Sequence, residues 1–239
     1  MNALLVVAGG SGTRMGLNIP KQFYEVDGKP IIVYGLSTFE ATGCVDSVFI
    51  VCSEHWMDYL QSLIQKYKLN KVKRIISGGT TRQESVYNGV VALSEDLTDD
   101  DYIGIVDANR PLIKPKDIQM AFDAAQKFGA AVVCDDCVDT MYFSEDKACI
   151  SGVIDRSKLF KGQVPEVAKL SMALEVMQKA REDQLNDQTL TALLLHYGKQ
   201  VTMIPGTRKN FKITTAEDLD LFKAYLLLER FITNSDRED

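Results

Sequence analysis

Apolar residues along the chain fall into short unbroken runs that alternate with stretches of helical spacing. Ala3–Ala8 and Ser47–Cys52 are nearly uninterrupted apolar runs of strand length, the pattern of strands covered on both faces. After the second run, Trp56, Leu60, Leu63, Ile64 and Tyr67 recur at helical spacing and predict a helix that buries this stripe. Val72–Ile76 reads as a strand ended by Gly78-Gly79, Arg82–Leu93 as a helix, and Tyr102–Val106 as a fourth strand. Ile118, Phe122, Ala125 and Phe128 mark the next helix, followed by a strand at Ala130–Cys134. From Asp139 to about Glu166 the pattern turns irregular, with Gly152 and Gly162 among short β-like runs. That is long for a connection, and long insertions carry function. Helical stretches at about Val167–Arg181 and Asp187–Tyr197 precede a last strand at Val201–Ile204. A capping-box pattern, Thr215-Ala216-Glu217-Asp218, opens a final helix carried by Leu219, Phe222 and Leu226. The polar end, Asn234–Asp239, is expected to fray. Strand–helix alternation of this kind predicts a three-layer α/β fold with a mostly parallel sheet. With no linker or repeat in sight, the expectation is one domain over residues 1–239 with an arm at about 139–166.

Composition narrows the class. The chain has 239 residues, of which 46% are hydrophobic and 25% charged, a balance that excludes a mainly disordered or fibrous protein. No apolar run reaches the length of a membrane helix, and the first residues, Met1 to Val7, lack the basic start of a secretion signal. A net charge of −6 argues against nucleic-acid or anionic-membrane partners, so an anionic substrate needs a local cluster of cations. The five cysteines are an odd set in a chain that needs no staples, which points to reduced thiols and a cytoplasmic protein. Cys134-Asp135-Asp136-Cys137 has zinc-ligand spacing, but no second pair exists and His55 and His196 lie far away in sequence, so buried thiols are expected instead. The acid run Asp99-Asp100-Asp101 precedes a strand and reads as a solvated charge cluster.

Candidate chemistry begins directly after the first strand. In Ala8-Gly9-Gly10-Ser11-Gly12-Thr13-Arg14-Met15-Gly16, small residues let backbone N–H groups approach phosphate oxygens closely. It is neither a Walker A loop, for no Gly-Lys-Ser/Thr follows, nor the dinucleotide fingerprint, for Met15 stands where Gly or Ala belongs. Arg14 within the loop and Lys21 shortly after it, stiffened by Pro20, add the charge a polyphosphate needs. In a parallel sheet the loops after the strands share one edge. Three further stretches would converge there: Gly78-Gly79-Thr80-Thr81-Arg82-Gln83-Glu84-Ser85, whose turn and hydroxyls would receive a base edge; Asp107-Ala108-Asn109-Arg110-Pro111; and Asn210-Phe211-Lys212-Ile213-Thr214-Thr215. Asp107, at the end of a buried strand, would hold Mg²⁺ against phosphate oxygens, with Arg110 fixing either the acid or the substrate.

Taken together these segments resemble the family that includes methylerythritol-phosphate and ribitol-phosphate cytidylyltransferases, in order and spacing from Leu4 to about Leu226. The resemblance implies a Rossmann-like nucleotidyltransferase fold and transfer of CMP from CTP to a small polyol or sugar phosphate, with pyrophosphate released. By position it implies that Ala8, Gly9, Gly79, Thr80 and Ser85 hold cytosine and ribose, and that Gly10, Ser11, Gly12, Thr13 and Arg14 grip the triphosphate. It gives Arg14 and Lys21 the task of stabilising the α-phosphate transition state and the departing pyrophosphate, Lys212 a second α-phosphate contact, and Asp107 the Mg²⁺. Thr140 and Arg156, inside the arm, would grip the acceptor's phosphate across a homodimer interface. The chain departs from the family at Val106, Asn109, Asn186, Val164 and Glu166, changes that cluster toward the acceptor end. An altered acceptor follows, such as ribitol 5-phosphate bound for a surface polymer, with methylerythritol phosphate of isoprenoid synthesis as the nearest rival. A non-catalytic nucleotide-binding protein is the rival from another class; the joint presence of Arg14, Lys21, Asp107 and Lys212 argues against it. Trp56 also resembles the ribitol-type members, although a core aromatic is the stronger reading.

Overall fold

A computed structural model describes residues 1–10, 19–186 and 189–235. Its centre is a seven-stranded sheet. Six strands run parallel, β1 (Asn2–Ala8), β4 (Ser47–Cys52), β5 (Val72–Ser77), β6 (Tyr102–Asp107), β7 (Ala130–Asp136) and β11 (Thr202–Pro205), and β10 (Phe160–Lys169) runs against them. The spatial order is β11-β7-β10-β6-β1-β4-β5, with β10 antiparallel to both neighbours. Two hairpins, β2 (Glu25–Val26) with β3 (Lys29–Pro30) and β8 (Met141–Phe143) with β9 (Gly152–Ile154), lie outside this sheet.

Strand alternation sends successive side chains of β1 to opposite faces. Leu4, Val6 and Ala8 join one core with α1 (Ile31–Ala41), α2 (Met57–Lys66) and α4 (Pro115–Phe128). Ala3 and Leu5 join the other, with α3 (Arg82–Leu93), α5 (Leu170–Glu182) and α6 (Leu190–His196). A third cluster, built on Ile213, Leu219 and Phe222, seats α7 (Ala216–Ser235) against the β2–β3 hairpin through Val26. The expected three layers are present.

Several expectations need correction. Phe160–Lys169 is a central strand, not the tail of an irregular arm, and the helix expected from Val167 begins at Leu170. Pro165 sits where the β10–β7 register shifts, between Gly162 and Glu166, which is where a strand tolerates a residue without an N–H. Helix α1 carried no periodic signal, because it is apolar nearly all round; Ile31, Ile32, Val33, Gly35, Leu36 and Phe39 are buried. Asp101 is not solvated: it is 8% exposed, accepts from the Thr98 N–H and hydroxyl, and meets the Met1 ammonium. Trp56 stacks on Phe23 at 4.9 Å, a packing role. Asp187, where the second helical stretch was expected to open, lies outside the described residues. All five cysteines are unpaired; Cys52 and Cys137 are buried, while Cys149 is exposed.

The chain leaves β1 for β4 and β5 on one side and returns to β6 on the other. The gap between the C-terminal ends of β1 and β6 is therefore the topological switch point, where open α/β sheets bind ligands.

Candidate active site

Two loops flank that gap because β1 and β6 run parallel in register, with Val7 opposite Asp107. Gly9 and Gly10 follow β1; Ser11, Gly12, Thr13 and Arg14 lie outside the described residues. The turn Lys21–Phe23 is buried, and Gln22 ties it to the glycine loop: its Nε2 donates to the carbonyls of Ala8 at 2.6 Å and Gly10 at 3.0 Å. Lys21, 8% exposed, is thereby fixed beside the loop. The sequence offered Gln22 only as part of a motif, and its stapling role depends on contacts made after folding.

From the third side, β5 and α3 deliver Gly79, Thr80, Thr81, Arg82 and Ser85. Thr81 caps α3 by accepting from the Glu84 N–H. Glu84 Oε2 accepts from both the N–H and the hydroxyl of Thr80, at 2.7 Å each, and Ser85 Oγ accepts from the Gly79 N–H at 3.0 Å. The Thr80 hydrogen bonds, first its side chain and then its backbone, hold the Glu84 carboxyl below its ordinary range. A Cβ on Gly79 would come within 2.3 Å of the Glu84 side chain, so glycine is what lets this loop close.

Asp107 stands at the centre. It is 8% exposed and faces three cations: Lys212 Nζ at 3.2 Å, Arg110 Nε at 3.3 Å and Arg82 at 3.4 Å. Burial alone would push the Asp107 carboxyl up; Lys212, Arg82 and Arg110 together hold it below the usual carboxylate range. Arg82 was not singled out from the sequence, since nothing local shows that a residue at the start of α3 reaches the end of β6.

Lys212 is placed by a reciprocal pair. Asn109 Nδ2 donates to the Ile213 carbonyl at 2.6 Å, and the Ile213 N–H donates to the Asn109 carbonyl at 2.9 Å. Arg110 adds a bond to the Asn210 carbonyl at 2.6 Å, and Asn210, fully buried, donates to the Val164 carbonyl. Two of the departures, Asn109 and Val164, thus lock the loop bearing Lys212; Val106 is core.

Gly9, Gly10, Lys21, Ser85, Asp107 and Lys212 line one cavity of about 350 Å³. A second, of about 860 Å³, opens over β10 and α6. Arg82, Asp107 and Lys212 line both, so the acid and two of its cations form the boundary between them. Arg110 faces the larger cavity. Thr140 and Arg156 line neither; both are exposed on the arm, where Arg156 donates to the Val138 carbonyl at 2.7 Å. Of the described residues expected at the nucleotide, Gly9, Gly10, Gly79, Thr80 and Ser85 line the smaller cavity, whereas the Ala8 side chain packs in the core and the two arm residues lie apart.

Among the described residues no group of three or more His, Cys, Asp or Glu is arranged to hold a metal. A magnesium ion bridged mainly by substrate phosphates needs only one or two carboxylates, and Asp107 at the cavity boundary fits that requirement.

The chain is 36% identical over 229 residues, 94% of its length and 94% of the relative, to a protein of Streptococcus agalactiae named ribitol-5-phosphate cytidylyltransferase. A Vibrio parahaemolyticus protein of the same name is 36% identical over 95% of this chain and 96% of its own. A Clostridium botulinum protein named 2-C-methyl-D-erythritol 4-phosphate cytidylyltransferase is 35% identical over 92% of this chain and 95% of its own. In fold the chain is similar to 4-diphosphocytidyl-2C-methyl-D-erythritol synthase of Anaerococcus prevotii, at TM-score 0.82 and 22% identity over 95% of this chain and 96% of that one. The sequence pattern of the family described as IspD, 2-C-methyl-D-erythritol 4-phosphate cytidylyltransferase, matches residues 2–228, which take in every element from β1 into α7, and the chain belongs to that family of cytidylyltransferases.

Proposed function

We propose that the protein transfers CMP from CTP to ribitol 5-phosphate, giving CDP-ribitol and pyrophosphate. The observation that carries this reading is the shared boundary: a nucleotide-sized recess and a larger one meet at Asp107, Arg82 and Lys212. The relatives named for ribitol 5-phosphate support the choice of acceptor.

The reaction needs no nucleophilic side chain. An oxygen of the acceptor's phosphate, already anionic, forms a bond to the α-phosphorus of CTP. The bond from that phosphorus to the bridging oxygen breaks, and its electron pair leaves with pyrophosphate. The protein's work is alignment and charge compensation. Gly9 and Gly10 expose backbone to the triphosphate, and Lys21, fixed beside them, faces the charge that gathers on the leaving group. Lys212 and Arg82, held at Asp107 before substrate arrives, are positioned to move to the α-phosphate and the acceptor. Asp107 would hold a magnesium ion, which when bound supplies neutralisation of phosphate charge.

The arm completes the reading. Tyr142, Phe143, Ile150 and Val153 are each at least 44% exposed, an apolar surface that a second copy would cover. In such a dimer Thr140 and Arg156 would reach the partner's acceptor recess. The described residues hold no helix long and apolar enough to cross a membrane, which suits an enzyme of the cytoplasm.

The test is pyrophosphate release from CTP with a panel of polyol and sugar phosphates. Turnover with ribitol 5-phosphate supports the reading. Turnover with methylerythritol phosphate alone, the second reading that the Clostridium relative favours, would replace the acceptor.

A further inference from the structure

The larger cavity contains an acid that the chemistry above leaves unused. Glu166, 6% exposed, sits within β10 opposite Ile105 of β6 and Val132 of β7. Residues directly opposite on adjacent strands share a face, and Ile105 and Asp107 are two apart, so Glu166 and Asp107 project from the same face. Two residues along a strand put them about 7 Å apart in that direction. Glu166 Oε2 accepts from the Thr191 N–H at 2.7 Å, while no donor among the described residues reaches Oε1. The neighbouring Thr191 hydroxyl is buried without a partner. Both residues line the cavity, beside Gln163 and Thr189.

Charge in this cavity is sorted. Arg82, Arg110 and Lys212 gather at Asp107. The remaining cation, Lys158, is 83% exposed at its side chain and faces Asp155. A phosphate belongs at the Asp107 end. At the other, the Glu166 carboxylate accepts one hydrogen bond from the chain and keeps an oxygen that can accept from a ligand hydroxyl.

We propose that Glu166 is a specificity-determining residue for the acceptor, taking hydrogen bonds from the hydroxyls of its chain. The substrate class that fits is the phosphate ester of an uncharged, multiply hydroxylated chain long enough to span about 8 Å from its phosphate, two residues along β6 and one strand spacing across to β10. A chain of that length ending in a carboxylate or a second phosphate is refused, because its charge would meet Glu166 at close range. This rests on the cytidylyltransferase reading and adds to it a residue that chooses the acceptor.

The test compares wild type with Glu166→Gln in pyrophosphate release from CTP, using ribitol 5-phosphate, methylerythritol phosphate, glycerol 3-phosphate and a 5-phosphorylated aldonate. The variant keeps the side chain's shape. Its KM for the acceptor the wild type prefers should rise about tenfold, the scale of one charge-assisted hydrogen bond, with the KM for CTP unchanged. The wild type's preference for polyol phosphate over the aldonate should narrow. An unchanged acceptor KM would overturn the proposal. So would an equal rise for CTP, which would make Glu166 a strut acting through Thr191. Wild-type activity with methylerythritol phosphate alone refutes the ribitol reading while Glu166 is still judged on that acceptor; wild-type silence on every polyol phosphate overturns both. Should Glu166→Gln not fold, Glu166→Asp, which withdraws the charge by one methylene, is read by the same outcomes.

Discussion

Asp107 is the residue at which the protein's charges are counted. It draws three cations to one buried boundary and offsets part of their mutual repulsion. Because Lys21 faces the same recess without touching this acid, its removal separates chemistry from binding. Lys21→Ala should abolish measurable turnover while the affinity for CTP, read by calorimetry, changes far less; near-normal turnover would remove Lys21 from the mechanism. Arg82 is 37% exposed at its side chain, so its pair with Asp107 stabilises the fold little. Arg82→Gln should therefore lower kcat about tenfold or more and shift unfolding free energy by less than about 1 kcal/mol. The depressed pKa of Asp107 also sets a pH dependence. Its ionised form favours the folded state above the ordinary carboxylate value of about 4, and that contribution disappears as pH falls through the lower folded value. Wild type and Asp107→Asn should differ by a constant amount at neutral pH, and the difference should narrow progressively as pH falls below about 4 in urea titrations. A constant difference down to low pH would contradict the ion-pair account. At this scale Asp107, Lys21 and Lys212 were legible as charges beside strand ends. Arg82 and Gln22 were not, since each acts through a partner remote in the chain.

Elements place these residues by how closely they pack. Helix α3 carries Arg82 and Ser85 to the site and lies tight on β1 and β4 at Gly89, where a Cβ would meet Leu5 at 2.6 Å and Val51 at 2.7 Å. Gly89→Ala should cost about 1–3 kcal/mol in chemical unfolding and lower activity by displacing the start of α3. An unchanged midpoint would show that the helix can shift freely. Most elements were readable because their apolar positions repeat with one period. Two were not. In α1, burial on nearly every side erases the polar face that signals a helix. In β10, Gly162 and Pro165 interrupt the strand pattern, and only pairing with both β6 and β7 makes it the sheet's antiparallel member.

At the scale of the molecule, Thr140 and Arg156 flank the arm hairpin and line neither cavity of their own chain. If a second copy receives them, defects on different chains should complement. Mixing Lys21→Ala with Arg156→Ala subunits should restore activity toward a quarter to a half of wild type, since one of the two sites in each mixed dimer is intact. No recovery after subunit exchange, verified by mass, would place Arg156 outside the partner's site. A charge on the arm, Val153→Asp, should turn a dimer into a monomer in sedimentation.

What the sequence determined alone was local: which segments are strands or helices where periodicity is clean, where glycines follow a strand, and which charges stand beside a strand end. These depend on neighbours a few residues apart, so the order of residues suffices. The tertiary structure decided what meets across long separations. It made Asp107, Arg82 and Lys212 a shared boundary, put Asn109 and Asn210 to work locking a loop, and turned Glu166 toward a cavity. Those relations arise because a parallel sheet brings distant strand ends to one edge, a consequence of strand order and register that no single stretch of the chain contains.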